Sequence, residues 1–148
     1  MKIYDCFMFF DEEMLLDLRL NIMDKYVDKF VITEAAYMHS GRAKKLIFDI
    51  NKYSKFKDKI IYNVIENEPP NIEIINKKYE DDKKDTLGQK LVNNSNKREN
   101  FQRNGAWQSI KNADPDDIIL INDIDEIPNL NGVDFKKINK KIIIFKQK

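Results

Sequence analysis

The sequence predicts an α/β fold built on a mostly parallel sheet with flanking helices. Three observations lead there. Short apolar runs alternate along the chain with stretches of helical spacing. The first run, Ile3 to Phe10, is apolar nearly throughout, as a strand covered on both faces must be. A later run, Asp117 to Ile121, ends abruptly in Asp123, Asp125, Glu126 and Pro128. That is a strand exit of the kind at which open α/β sheets gather their ligands.

Each element follows from its residues. Ile3 to Phe10 forms the first strand. Asp11 is placed to cap the next helix, with Glu12 and Glu13 suited to its positive end. Leu15, Leu18 and Ile22 recur at helical spacing and are expected to form its core stripe. Lys29 to Glu34 is a second strand. The loop from Ala35 to Lys45 holds the single histidine, His39, and a Ser40-Gly41 turn. A basic segment around Tyr53 to Lys57 precedes the third strand, Lys59 to Ile65. Together with Lys44, Lys45 and Lys52 it reads as an ordinary solvated face, or as a cradle for an acceptor.

Residues 66–97 break the pattern. Glu66-Asn67-Glu68-Pro69-Pro70 stops any strand, and Tyr79 to Lys84 is almost all charge. The segment is expected to be a long surface excursion within one domain spanning 1–148, since the pieces on either side are too small to fold alone. Arg98 to Ala113 then reads as a helix. At 100° per residue, Glu99, Arg103, Ala106, Ile110 and Ala113 share a face, with Trp107 beside it expected in the core. A helix leading into a parallel strand runs antiparallel to it, so Glu99 and Arg103 should point towards Asp123 and Asp125. They form either a self-satisfied i,i+4 pair or a clamp for a diphosphate or base edge. A short amphipathic segment, Val133 to Ile138, and a last strand, Lys141 to Phe145, complete the reading.

Bulk properties exclude several classes. A net charge of +1 gives no global field for nucleic acid. No apolar run reaches the roughly 18 residues needed to span a bilayer, and Met1 to Asp5 does not resemble a signal peptide. The lone Cys6 forms no intrachain disulfide and reads as a small buried hydrophobe. These features lead to the expectation of a cytoplasmic protein. Spacing alone does not establish a metal site: sixteen Asp residues give about 1.7 Asp-x-Asp triplets by chance. Asp114-Pro115-Asp116 is one and reads as a turn. The strand before Asp123 and the proline after it are what single out the other. Carboxylates there can hold a hard divalent cation, which neutralises a diphosphate.

Four stretches taken in order carry a resemblance. They are Lys2 to Phe10 with the helix after it, Val27 to Glu34, Phe101-Gln102-Arg103-Asn104, and Asp116 to Pro128. The chain resembles glycosyltransferase family 17, the family of β-1,4-mannosyl-glycoprotein N-acetylglucosaminyltransferase. The resemblance implies a GT-A-like (Rossmann-like) nucleotide-sugar-binding domain, with UDP-N-acetylglucosamine as donor and inversion at the anomeric carbon. It also implies Mn²⁺ (or Mg²⁺) on the donor diphosphate. Carried over, Asp125 is the main metal ligand and Asp123 a second one that faces the ribose or donor sugar. Arg103 and Asn104 help fix the nucleotide, and Glu34 is at the pocket rim; Glu99, which helix geometry rather than the resemblance places beside Arg103, is expected at the same site. The catalytic base is not named. Family members continue past Phe145, so the chain looks like the donor half only, apparently truncated at its C-terminus. The acceptor is expected to be a glycan, a lipid-linked sugar or a surface-polymer precursor.

Two other functions compete. One is a non-catalytic sugar-nucleotide-binding module that needs a partner for turnover. The other is a phosphohydrolase with Asp123 as nucleophile. Glu126 and Ile127 stand where such an enzyme needs a small hydroxyl residue and a glycine.

Overall fold

Strands that lie inside a parallel sheet are covered on both faces, and the apolar runs become strands for that reason. The computed structural model describes residues 1–76 and 84–146. It contains strand β1 (Ile3–Phe9), helix α1 (Glu13–Met23), β2 (Lys29–Ala35), a 3₁₀ segment (Ile50–Phe56) and β3 (Ile60–Ile65). Helix α2 (Lys84–Ile110), β4 (Ile118–Ile121) and a 3₁₀ turn (Phe135–Lys137) follow. The sheet has the order β3-β2-β1-β4, and all three pairings are parallel. The α/β fold with a parallel sheet is therefore as expected.

Alternation along the strands divides the core between two faces. Phe7, Phe9, Phe30, Ile32 and Leu120 face α1 and the 3₁₀ segment, where they meet Leu16, Leu20, Met23, Tyr53 and Phe56. Tyr4, Cys6 and Val31 face the other way, onto Ala106 and Ile110 of α2. Gly105 permits that approach, because a Cβ there would fall 2.5 Å from Ile65 Cδ1. Among the described residues, no helix is long and apolar enough to cross a membrane.

Several local expectations are corrected. Asp11 does not cap α1. Glu12 holds the N-cap position without a side-chain cap bond, and its carboxylate instead accepts from the Phe10 and Asp11 backbone N–H groups at 3.0 and 3.2 Å. The buried stripe of α1 is Leu16, Arg19, Leu20 and Met23, while Leu18 and Ile22 are exposed. A buried arginine inside the stripe displaced the apparent apolar face.

Helix α2 begins at Lys84, well inside the stretch read as an excursion. The part before Arg98 buries Asn94 and leaves Leu91 and Val92 exposed, so it has no apolar periodicity to read. Apart from Lys84, the charged run Tyr79 to Lys84 lies outside the described residues. Trp107 is 64% exposed rather than core. Lys141 to Phe145 is not a strand: the segment has no sheet neighbour, and Ile142 and Ile144 stay exposed. Tyr53 and Phe56 are buried, Tyr53 stacking on Phe48 at 5.8 Å, while Lys45, Lys52, Lys55 and Lys57 are exposed, so the lysines form a solvated face and the two aromatics join the core.

Candidate functional site

The chain steps from β1 to β2 to β3 in one direction, and α2 then carries it back so that β4 pairs on the other side of β1. This reversal makes the carboxyl ends of β1 and β4 the switch point of the sheet, where open α/β folds leave a crevice. Two clefts of about 640 Å³ open nearby. One lies on the α2 face and is apolar, with Phe101, Trp107, Ile119 and Ile121 in its wall. The other lies at the switch point. Its wall includes Phe10 and Glu12 after β1, His39 after β2, Glu99 of α2, and Asp123 and Asp125 after β4. Only this second cleft gathers carboxylates, so it is the candidate site.

Helix α2 runs antiparallel to β4, and its Glu99 and Arg103 reach the acidic loop as the helical geometry predicted. Arg103 Nη2 donates to Glu99 Oε1 at 2.9 Å, and Nη1 lies 3.0 Å from Asp123 Oδ1. Partial burial works against the guanidinium charge. The bond to Glu99 and the field of Asp123 outweigh it and hold the Arg103 pKa above its ordinary value. The Asp123 Oδ1 atom is buried and, although an ion-pair neighbour, accepts no aligned hydrogen bond. Asp125 is exposed on the cleft wall.

The acidic loop itself is held from below. Arg19 is fully buried, and its Nε and Nη2 donate to the two carboxylate oxygens of Asp5 at 2.9 and 2.7 Å. Its Nη1 donates to the backbone carbonyls of Asp123, Ile124 and Glu126 at 2.9, 3.1 and 3.0 Å. The planar fork is what allows one side chain to serve a carboxylate and a loop together.

The polar half of α2 ties the strand ends. Gln102 Nε2 donates to Thr33 O at 3.0 Å and more loosely to Phe9 O at 3.5 Å, while its Oε1 lies 3.4 Å from His39 Nε2. Arg98 donates to His39 O at 3.1 Å and pairs with Glu68 at 2.9 Å. Gly41, at φ 86°, lets that guanidinium pass close to the turn.

Of the residues expected at the site, Asp123, Asp125 and Glu99 line the cleft and Arg103 bridges two of them. Asn104 is exposed and faces the apolar cleft instead. Glu34 lines neither cleft and is fully buried. Its carboxylate accepts from Lys44 Nζ, from Tyr62 Oη at 2.7 Å, and from the Ile47 and Phe48 N–H groups at 2.9 and 3.1 Å. Burial alone would raise its pKa, but these bonds lower it. Asp5, Arg19, Gln102 and His39 were not foreseen. Opposite charges inside two otherwise apolar patterns, Asp5 in a strand and Arg19 in a helix stripe, were the signal for the first two, since buried charges must pair.

Among the described residues no group of three or more His, Cys, Asp or Glu could hold a metal ion unaided. The donor set nonetheless suits Mg²⁺ or Mn²⁺, which are commonly bound by one or two carboxylates together with substrate phosphates. Asp125 and Asp123, both on the cleft wall, are the carboxylates that could contribute to such a set, with Asp123 Oδ1 already paired to Arg103.

The family model for glycosyltransferase family 17 matches residues 1–143. No curated protein and no solved structure matches.

Proposed function

Since the chain belongs to glycosyltransferase family 17, we propose that its switch-point cleft binds a UDP-sugar through a divalent cation held by Asp125 and Asp123, for inverting transfer to a hydroxyl acceptor. Glycosyl transfer as such follows from the family. The observation that carries the finer reading is the convergence of Asp123, Asp125, Glu99 and Arg103 at the reversal point of the sheet. UDP-N-acetylglucosamine is the donor that the four resembling stretches imply.

A bound Mn²⁺ or Mg²⁺ supplies positive charge to a departing diphosphate without a proton transfer. The chain's own groups prepare the place for it. Glu99 turns the Arg103 fork, which stays charged at any working pH and adds a second cation beside Asp123. Gln102 fixes the ends of β1 and β2, and with them the floor of the cleft. His39 stands on the opposite wall, held through its backbone by Arg98.

A donor-binding module without turnover is the second reading, and one observation favours it. The two further carboxylates beside the loop, Glu12 and Glu126, both accept backbone N–H bonds from their own loops. Only Oε2 of each is engaged, so the loop backbone, and no second side chain among the described residues, orients these two carboxylates towards an acceptor hydroxyl. UDP release from a panel of UDP-sugars, with Mn²⁺ or with chelator, separates the two. Manganese-dependent release that Asp125→Asn abolishes supports the enzyme. Binding without release supports the module, and neither binding nor release sinks the donor site.

A further inference from the structure

The cleft requires Asp123 and Asp125 to stand in one fixed relation, yet they lie on a loop after a four-residue edge strand. Within that loop, two backbone bonds (Glu126 N–H to Asp123 O and Ile127 N–H to Asp125 O) and the Asp123 N–H to Glu126 carboxylate bond are all short-range. Long-range ties come from Arg103 of α2, on the Asp123 side chain, and from α1, on the loop backbone. We propose that Arg19 is the positioning residue of the acidic loop: its guanidinium draws the carbonyls of Asp123, Ile124 and Glu126 inward, so that the Asp123 and Asp125 carboxylates are left to the cleft. The purpose of that hold rests on the donor-site reading above.

Three features support it. Three carbonyls from a four-residue stretch converge on one nitrogen, Nη1, which makes no contact with Asp5. The other two guanidinium nitrogens donate to Asp5, Nη2 also meeting the Asn122 side-chain amide at 3.2 Å, and the Phe7 ring lies under the group at 4.7 Å. The side chain therefore has one available orientation. Asp5 also neutralises the guanidinium inside the core, so the loop receives hydrogen bonds without a net positive charge that would repel a divalent cation. A neutral donor set under a cation-binding loop is the usual task of residues that orient metal ligands from behind.

The double variant Asp5→Leu/Arg19→Met tests this. A buried ion pair replaced by well-packed apolar residues is often neutral for stability, while the three carbonyl bonds are lost. The probe is Mn²⁺ with UDP, read by the electron paramagnetic resonance signal of free Mn²⁺. Hydrogen exchange at the Glu126 and Ile127 amides is read alongside. The double variant should stay folded with a lowered thermal midpoint, bind Mn²⁺-UDP about 10–100-fold more weakly at temperatures below its melt, and lose protection at those two amides while β2 keeps its own. A folded double variant with wild-type affinity and wild-type loop protection overturns the proposal. If the wild type binds no Mn²⁺-UDP, the donor reading fails, and loop protection alone then decides whether Arg19 positions the loop. If the double variant does not fold, exchange in the wild type decides: protection of Glu126 and Ile127 matching that of α1 supports the clamp, and free local fraying overturns it.

Discussion

Glu34→Gln isolates a buried carboxylate that holds a loop rather than a ligand. Four donors converge on it: Lys44, Tyr62 and the N–H groups of Ile47 and Phe48. Glutamine preserves the shape but keeps one acceptor oxygen and turns an NH₂ towards donors. One or two partners are then left unpaired in a dry site, at about 1–3 kcal/mol each. Lys44, only 7% exposed, also loses its countercharge. A loss of about 3 kcal/mol is expected, large beside the roughly 5–15 kcal/mol that holds a typical domain. At about 2–4 °C per kcal/mol for a domain of this size, the thermal midpoint should fall by about 6–12 °C. Circular dichroism melts measure that, and Mn²⁺-UDP titration below the melt should show affinity within about two-fold of wild type, far less than the 1.4 kcal/mol of a tenfold change. A midpoint shifted by less than ~1 °C refutes the energetic reasoning. Intact stability with lost affinity would place Glu34 in the nucleotide site after all.

Three further outcomes follow from the same geometry. The folded-state pKa of Glu34 lies below its ordinary 4.5, so its stabilisation is complete above that value and is lost as pH falls through the folded pKa. Urea unfolding from about pH 7 to about pH 3 should show this acid limb, and Glu34→Gln should flatten it. Gly105→Ala brings a methyl to within 2.5 Å of Ile65 Cδ1. Crowding of about 1–3 kcal/mol, less the roughly 1 kcal/mol that Ala gains over Gly in a helix, should leave a net loss of about 1 kcal/mol, read from denaturant midpoints. No loss would mean that the Ile65 side chain turns into the neighbouring cleft. Cys6 is buried, and burial with the Asp5 charge pushes its thiol up to about 12. A disulfide-exchange reagent at neutral pH should therefore label it only through unfolding, and rapid native labelling would contradict its packing.

The strands were legible because parallel strands need apolar residues on both faces, and β1 to β4 carry them. Where packing was polar, the reading failed. Leu18 and Ile22 matched helical spacing in α1, but the helix turns Leu16, Leu20 and Met23 inward around Arg19. The part of α2 before Arg98 buries Asn94, bonded to Glu73, and leaves Leu91 and Val92 exposed, so hydrophobic periodicity could not find it. Lys141 to Phe145 has strand-forming residues but no strand beside it to pair with, and propensity alone does not make a sheet. At the site, the Asp123–Asp125 motif and the helical reach of Glu99 and Arg103 could be read directly. The clamp by Arg19 could not be located, because it joins residues more than 100 positions apart.

The central claim is that the switch-point cleft holds a nucleotide sugar through Asp123 and Asp125. Isothermal titration of UDP into the protein, with Mn²⁺ and with chelator, on wild type and Asp125→Asn probes it most directly. Binding that needs Mn²⁺ and is lost in Asp125→Asn, with the melt unchanged, is the result expected. Binding that ignores both Mn²⁺ and Asp125, or no binding by the folded wild type, would contradict it.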